Sequence, residues 1–340
     1  MNRISAVLSG PVAGRSARFA FVVLLFVLPF VQPPDRNFQL TMVFVYSVAI
    51  LGLTVLTGAS GQISLAQATF LGIGAYCAGV TTVVWKWPLW AGLVAAAVVP
   101  FVVGYLVGVL AARLNGLYLA LVTVTIAIVF IPLVKRFDGL TGGANGLVVP
   151  QPQPPAGLGL ATDQWHYLIV LVLTLACWRI GRGILGGRVG RALYASQDNA
   201  LVAVAMGVDV PFVKATAFAW CGGLAGVAGG MYVIAVGFLS PESFSLLLSV
   251  GLLAGMAVGG VGRAVGAVLG AVYIQFVPVY TQEISSSLAG IIYGASLILV
   301  ILLLPGGLAS VPRLLRMDVR ASRTDIRPPA GERPREAVDV

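Results

Sequence analysis

The chain has 340 residues, of which 59% are hydrophobic and 10% charged, and its mean hydropathy is +0.97. This composition excludes a soluble globular protein and is typical of a protein that crosses a membrane many times. The formal net charge of +9 does not indicate nucleic-acid binding, because the Lys and Arg residues lie in short loops and the C-terminal tail, without interleaved aromatic residues. Three cysteines lie in apolar runs without a Cys-x-x-Cys pair, which argues against a disulfide framework or a thiolate metal site.

The N-terminal stretch has the charge pattern of a signal peptide. Arg3, Arg15 and Arg18 precede the apolar run Phe19 to Val31. No small-x-small cleavage site follows, so we interpret the run as a retained first helix. The chain then divides into a cytoplasmic segment over 1–18, a transmembrane domain over 19–308 and a basic, disordered cytoplasmic tail over 309–340.

Nine further apolar runs follow, several near the length of about 20 residues that crosses a bilayer. They are Phe38–Thr57, Leu65–Val84, Leu89–Ala112, Gly116–Val134, Trp165–Trp178, Ala215–Phe238, Phe244–Gly259, Ala264–Tyr280 and Leu288–Leu304. The predicted fold class is an all-α, polytopic transmembrane helical bundle of about ten spans. The two runs on either side of Gly259 are short, so a tilted or re-entrant pair is the alternative there.

Basic residues fall mainly on one side of the bilayer under this assignment. The other side keeps only Arg36, Lys86, Lys135 and Arg136. The positive-inside rule therefore places both termini and the loop 186–214 in the cytoplasm.

The loop 186–214 is the only long interior segment that is charged and helix-prone. Ala192 to Met206 is predicted to form one short amphipathic helix, with Leu193, Ala200 and Val204 on an apolar stripe and Gly207 as its end. Such a helix suits docking into a groove on a soluble partner, or it lies along the membrane surface. The loop alone leaves both interpretations open. The candidate contact residues are Leu193, Ala195, Ser196, Asp198, Asn199, Ala200, Leu201, Val204 and Gly207.

A second polar group lies at the start of a span, where Gln62, Ser64, Gln67 and Thr69 precede several glycines and alanines. Glycines that interrupt an apolar run beside polar side chains indicate a broken helix at a water-filled pathway. The alternative is that the amides and hydroxyls only bridge neighbouring helices. Later glycine-rich runs over 222–230 and 251–270 predict closely packed helices.

Residues for catalysis or cofactor binding are missing from the sequence. The three lysines are outside any Gly-Lys-Ser/Thr motif, so the chain has no phosphate-binding P-loop and is predicted not to hydrolyse ATP itself. The sequence at 260–266, GVGRAVG, joins two apolar runs and is interpreted as a packed turn. One histidine and scattered acids give no metal cluster, carboxylate pair or nucleophile triad, and no buried acid for a proton relay. We therefore expect no enzyme, no metal and no cofactor bound by this chain.

The sequence at 190–207, GRALYASQDNALVAVAMG, with the following run to Tyr232, resembles the cytoplasmic loop and next helix of ABC-transporter permeases for branched-chain amino acids, the LivM-type subunit. Further motifs agree in the same order: GQISL at 61–65, FLGIGAY at 70–76, NGLYLA at 115–120, LTGGANGL at 140–147 and LPGGL at 304–308. The likeness covers nearly the whole chain. Two features depart from the family: Thr123 and Thr125 occupy a span that often carries an acidic residue, and Gln197-Asp198 replaces a pair such as Arg-Glu.

The resemblance implies a bacterial inner-membrane importer. Its expected partners are a second permease subunit in a heterodimer, two cytoplasmic ATPase subunits that bind ATP and Mg, an extracytoplasmic substrate-binding protein and membrane lipid, with no nucleic acid. It also assigns the loop 186–214 as a coupling helix. The implied pathway residues are Gln62, Ser64, Gln67, Thr123 and Thr125, and the external loop comprises Thr141, Gly142, Gly143, Asn145 and Gly146.

The expected substrate is a branched-chain or other hydrophobic amino acid. Urea, short amides and small carboxylates remain alternatives, because related permeases carry them. The alternative from another class is a stand-alone channel, in which the loop is only a surface helix. A membrane-embedded enzyme comes third, because no catalytic set is present.

Overall fold

A computed structural model describes residues 22–112, 114, 116–155, 157, 159–284, 288–304 and 306–310. The predicted segment 1–18 and nearly all of the predicted tail lie outside these residues. The helices are α1 (Val22–Val31), α2 (Pro34–Leu53), α3 (Gln67–Val83), α4 (Leu89–Ala111), α5 (Leu117–Arg136), α6 (Asp138–Thr141), α7 (Thr162–Gly186), α8 (Arg188–Asp198), α9 (Ala200–Ala205), α10 (Val210–Val236), α11 (Leu246–Gly259), α12 (Ala264–Ile284) and α13 (Ala289–Leu303). The strands are β1 (Leu147–Val148) and β2 (Phe238–Leu239), and 3-10 turns lie at Gly143–Asn145, Pro241–Phe244 and Leu308–Ser310.

Six of the described helices are long and apolar enough to cross a membrane: α2 with its extension to Gly58, α4, α5, α7, α10 and α12. Shorter apolar helices occur at Val22–Val31, Leu246–Gly259 and Gly290–Val300, and α3 has 17 residues. The predicted all-α polytopic bundle is confirmed, and the strands of the described residues are the two-residue β1 and β2. The number of about ten crossings stays a prediction.

Helix α10 lies at the centre of the bundle, in contact with α2, α3 and α4. Its glycines make this possible, because Gly222 and Gly226 lie directly against the backbone of α4, where a Cβ would have no room. Gly226 also faces Gly74 of α3 in backbone contact. Helices whose facing residues lack side chains approach closely and gain contact over their whole length. The close packing predicted from the glycine-rich run is confirmed.

Helix α2 changes to a π-helical turn before it ends. It continues as a π-helical turn over Thr54–Gly58, and the chain from Gly61 to Ala66 is then non-helical before α3 begins at Gln67. A π-turn widens the helix by one residue and frequently marks a functional position. Helix α3 runs without interruption through Gly72, Gly74 and Gly79, so the break predicted at the glycines of this span is absent. The interruption lies between α2 and α3, and we call the π-turn and the stretch 61–66 the broken helix.

Hydropathy alone set two boundaries too early. The run Trp165–Trp178 belongs to α7, which extends for 25 residues through Gly186, and Ala264–Tyr280 belongs to α12, which extends to Ile284. Both predicted ends were wrong, because polar residues end an apolar run without ending a helix: arginine extends α7, and glutamine and glutamate extend α12. Helix α11 stays short, with 14 residues, and the turn over 260–263 joins it to α12 as predicted.

Candidate functional site

The surface segment over 188–205 is interrupted in the middle. The prediction of one helix over Ala192–Met206 was wrong, because α8 ends at Asp198 and α9 starts at Ala200. Between them, Asn199 has extended backbone angles, and its Oδ1 accepts hydrogen bonds from the backbone N–H groups of Leu201 and Val202. Asparagine is among the best N-capping residues, so it starts a second helix here. Gly207, with a φ of +83°, follows the end of α9 as predicted.

The predicted stripe that joined Leu193 to Ala200 and Val204 does not exist. Leu193 is fully buried in the core and Ser196 is 4% exposed, whereas Ala200 and Val204 face outward. Leu193 therefore attaches α8 to the bundle. The outward apolar side chains belong to α9 and its end. The predicted contact residues Ala195, Asp198, Asn199, Ala200, Leu201, Val204 and Gly207 are all exposed.

Two side chains give this segment an unusual surface. Leu201 is 84% exposed and Met206 is 81% exposed, and both lie beside the exposed Val204. Hydrophobic residues that project together from a short helix outside the apolar core mark a contact surface for a partner or for lipid. We call Leu201, Val202, Val204 and Met206 the α9 patch.

The surface segment approaches the broken helix at Gly61. The Gln197 side chain at the end of α8 lies over Gly61, where a Cβ would stand 3.2 Å from the Gln197 Cγ. Gly61 has a φ of +70°, which glycine adopts without strain. The surface segment and the non-helical stretch are therefore in contact at the exposed Gly61.

The non-helical stretch 61–66 lies partly at the surface, where Gly61 and Ile63 are exposed, and its buried polar side chains are Gln62 and Ser64. Ser64 is fully buried and Gln62 is 6% exposed. The Gln62 carbonyl accepts a hydrogen bond from the Thr57 hydroxyl at 3.0 Å, and its Oε1 lies 3.2 Å from the Ser60 hydroxyl. The Gln62 Nε2 has no partner within the described residues. A buried amide with a free donor is costly unless water or a ligand accepts from it.

Gln67 has a different environment from Gln62. Its Nε2 donates to the Ala49 carbonyl of α2 at 2.6 Å, and its Oε1 accepts from the Cys221 thiol of α10 at 3.0 Å. Both ends of the amide are occupied, which is the helix-bridging arrangement considered as the alternative for this group of residues. The Ser249 hydroxyl of α11 accepts from the Ala68 N–H at 2.9 Å and adds α11 to this junction of α2, α3 and α10.

The two candidate threonines of α5 point in different directions. The Thr123 hydroxyl is buried and accepts a hydrogen bond from the Leu65 N–H at 3.1 Å. Thr125 is exposed and donates to the Leu121 carbonyl within its own helix. Residues two apart on a helix do not share a face. Only Thr123 is therefore part of the structure around the broken helix.

The predicted external loop forms a compact turn at the opposite end of α10 from α8. The Thr141 hydroxyl donates to the Val134 carbonyl at 2.7 Å, and Gly142, Gly143 and Gly146 all have positive φ. The chain then pairs β1 with β2, with Leu147 opposite Leu239. Asn145 is exposed on this turn. The glycines of the motif allow its sharp reversal and close packing.

Long-range partners were missing from the sequence interpretation. The Cys221 thiol donates a hydrogen bond to Gln67 across 154 positions, whereas the sequence analysis gave the cysteines no bonding partner. Ser249 and Gln197 were not selected as site residues either. A single sequence gives no signal for such pairs, because the number of residues between two positions does not show whether their helices pack together.

Within the described ranges, His, Cys, Asp and Glu side chains form no group of three that could hold a metal ion. The single described histidine, His166, is buried with its Nε2 3.2 Å from the Pro152 carbonyl. The arrangement consists of packed helices, a buried polar break and an exposed contact segment. These features define an integral membrane protein that passes its chain repeatedly through the bilayer.

The chain belongs to the family described as branched-chain amino acid transport system, permease component, which matches residues 37–301. It is similar to the high-affinity branched-chain amino acid transport system permease protein LivM of Salmonella typhimurium and of Escherichia coli K12, each 27% identical over 322 residues, with 86% of this chain and 74% of the relative covered. It is also similar to the autoinducer 2 import system permease protein LsrC of Escherichia coli, at 28% identity over 74% of this chain and 75% of the relative. No solved structure matches the chain significantly.

Proposed function

We propose that this chain is the membrane-spanning subunit of an ABC importer for branched-chain or other hydrophobic amino acids. It pairs with a second permease, two cytoplasmic ATPases that bind ATP and Mg, and an extracytoplasmic binding protein. Family membership and the two LivM relatives support this proposal. The loop 186–214 and both termini face the cytoplasm, as the distribution of basic residues indicates.

The observation that carries the coupling role is the contact between Gln197 and Gly61. The α9 patch offers exposed apolar anchors to an ATPase, and Leu193 fixes α8 to the bundle. When the ATPases close on ATP, α8 and α9 move with them, and Gln197 displaces the stretch 61–66. The hydrogen bond from Leu65 to Thr123 carries that displacement to α5. A small movement at the surface thereby alters the packing of several helices.

A double-mutant cycle tests this link in the complete transporter. Gly61→Ala brings a Cβ against Gln197 and strains the backbone at φ +70°, so it lowers ATP-driven uptake of labelled leucine. Gln197→Ala also lowers uptake, because the contact is lost. In the double variant, Gln197→Ala removes the side chain that clashes with the new Cβ at position 61. The loss of uptake in the double variant is therefore smaller than the sum of the two single losses. Additive losses, with assembly unchanged, would show that the residues do not act as one contact.

A second substrate class has a specific observation in its favour. The LsrC relatives are named as autoinducer 2 import permeases, and they match this chain at an identity comparable to that of LivM. Competition of labelled leucine uptake by unlabelled leucine, urea, a short amide, a carboxylate and a sugar-like solute distinguishes these classes. Uptake of solute without any ATPase subunit would instead indicate a stand-alone channel.

A further inference from the structure

A basic cleft lies on the outside of α7, away from the broken helix. It has a volume of about 470 Å³ and is lined by Leu175, Trp178, Arg179, Arg182 and Gly183. Most of these positions recur at intervals of three and four, so they occupy one face of the helix. The neighbouring face, with Cys177, Gly181 and Ile184, is buried in the bundle. The cleft therefore opens away from the core of the chain.

Among the described residues, no side chain neutralises the charge in this cleft. Neither the Arg179 nor the Arg182 guanidinium forms a salt bridge or a hydrogen bond to a side chain of any described residue. The Arg182 guanidinium lies over the Trp178 ring, 5.1 Å from its centroid, and both side chains line the cleft. Two exposed guanidinium groups present several N–H donors in fixed planar sets that suit phosphate oxygens.

The position along α7 places these groups at a membrane boundary. No Asp, Glu, Lys or Arg occurs between Asp163 and Arg179. At 1.5 Å per residue this charge-free length is about 24 Å, close to the thickness of a hydrocarbon core of about 30 Å. The exposed Val172 and the half-buried Leu175 precede the arginines along the same helix. An apolar surface that leads into a basic cleft matches an acyl chain joined to a phosphate.

We infer that this cleft binds the headgroup of an anionic phospholipid, with the phosphate between Arg179 and Arg182. Leu175 and the Trp178 ring contact the glycerol and upper acyl region. Basic pockets beside transmembrane helices recognise anionic headgroups through this combination of charge and apolar contact. The site is separate from the surface segment 188–205 and does not depend on which solute is carried.

The test uses the purified full-length chain in neutral detergent, exposed to equal amounts of dioleoylphosphatidylglycerol and dioleoylphosphatidylcholine. Native mass spectrometry counts the bound molecules of each lipid. The wild type is expected to retain phosphatidylglycerol preferentially. The variant Arg179→Gln/Arg182→Gln is expected to lose about 30-fold of that preference, since each arginine near a membrane surface contributes about fivefold.

The matched control is Arg188→Gln/Arg191→Gln, which removes the same charge next to the same end of α7 but outside the cleft lining. It should keep the preference. Equal losses in both variants would overturn the inference, because they indicate diffuse attraction to the basic end. The absence of any preference in the wild type would also overturn it and favour an acidic protein partner. Displacement of the lipid by an equal concentration of inorganic phosphate would reassign the cleft to a small anion.

Discussion

Gly58 and Gly262 are in backbone contact: a Cβ on Gly58 would lie 2.7 Å from both the Cα and the N of Gly262. This contact joins the π-helical end of α2 to the turn between α11 and α12. Gly262 has a φ of +78° in that turn. The break in α2 is therefore held between two elements, with Gln197 on one side and the α11–α12 turn on the other. A Cβ on Gly58 has no room against this turn, whereas a Cβ on Gly262 would lie 3.6 Å from the Gly58 carbonyl oxygen, at ordinary contact distance.

The contact predicts that Gly58→Ala destabilises the folded chain. The new methyl group meets backbone and not a flexible side chain, so the helix ends must separate. Overpacking of this kind costs about 1 to 3 kcal/mol in the free energy of unfolding. The measurement is an unfolding titration of the purified chain in mixed micelles. The control Gly251→Ala, in α11, has open space around the new Cβ and should be neutral or stabilising. Equal stability of the two variants would contradict the prediction.

The two buried glutamines should respond differently to truncation. Gln67→Ala removes two inter-helix hydrogen bonds and leaves a cavity, which lowers the free energy of unfolding by about 2 to 4 kcal/mol. Gln62→Ala removes an amide whose Nε2 is unpaired within the described residues, so the cost is about 1 kcal/mol or less. If Gln62 borders the pathway, its variant loses uptake while the complex still assembles.

Unfolding titrations and vesicle uptake, measured on the same preparations, separate these effects. Gln62→Met and Gln67→Met keep the side-chain volume and isolate the polar contribution. If Gln62→Ala were as destabilised as Gln67→Ala, both glutamines would serve helix packing, and the pathway role of Gln62 would be contradicted.

Several features at the start of α10 depend on near neighbours in the sequence, and among them Gly207 was predicted. Gly207 follows the surface segment, and the Asp209 side chain caps α10 by accepting a hydrogen bond from the Phe212 N–H. Pro211 lies in the first turn of α10, where its missing N–H costs nothing. These features depend on neighbours within a few residues, so a sequence displays them directly.

Other features were not predicted, because they depend on competing local signals or on contacts between residues far apart in the sequence. The apolar periodicity from Ala192 to Met206 favoured one helix, but the capping strength of Asn199 within the run proved decisive. Leu193 has the same polarity as Leu201, yet one is fully buried and the other is 84% exposed. Which of them faces the bundle depends on the packing of α8 against α7 and α10, which composition does not report.

The α9 patch predicts a separation of coupling from folding. Leu201→Asp and Val204→Asp replace exposed side chains, so the bundle stays folded, while docking weakens by about 1 to 4 kcal/mol if these residues are anchors. Leu193→Asp buries a carboxylate in the core and should unfold α8 from the bundle. Asp198→Ala is expected to be milder than either patch variant.

These variants are compared by assembly, substrate-stimulated ATPase activity and uptake in reconstituted vesicles. Normal coupling in both patch variants, with the ATPases still bound, would contradict the docking role and favour a helix that lies along the membrane surface.

The last prediction concerns the orientation of the two ends of α10. The background carries Cys77→Ala, Cys177→Ala and Cys221→Ser, the serine being chosen to keep a donor for Gln67. Asp198→Cys and Ala144→Cys place thiols on exposed positions at opposite ends. With a cytoplasmic surface segment, an impermeant maleimide labels Ala144→Cys on intact cells and labels Asp198→Cys only after permeabilisation. Ser196→Cys serves as a burial control, because residue 196 is 4% exposed and should stay unlabelled in both conditions. Labelling of Asp198→Cys on intact cells, with Ala144→Cys protected, would show that the topology is the reverse of the prediction. The surface segment could then not contact a cytoplasmic ATPase.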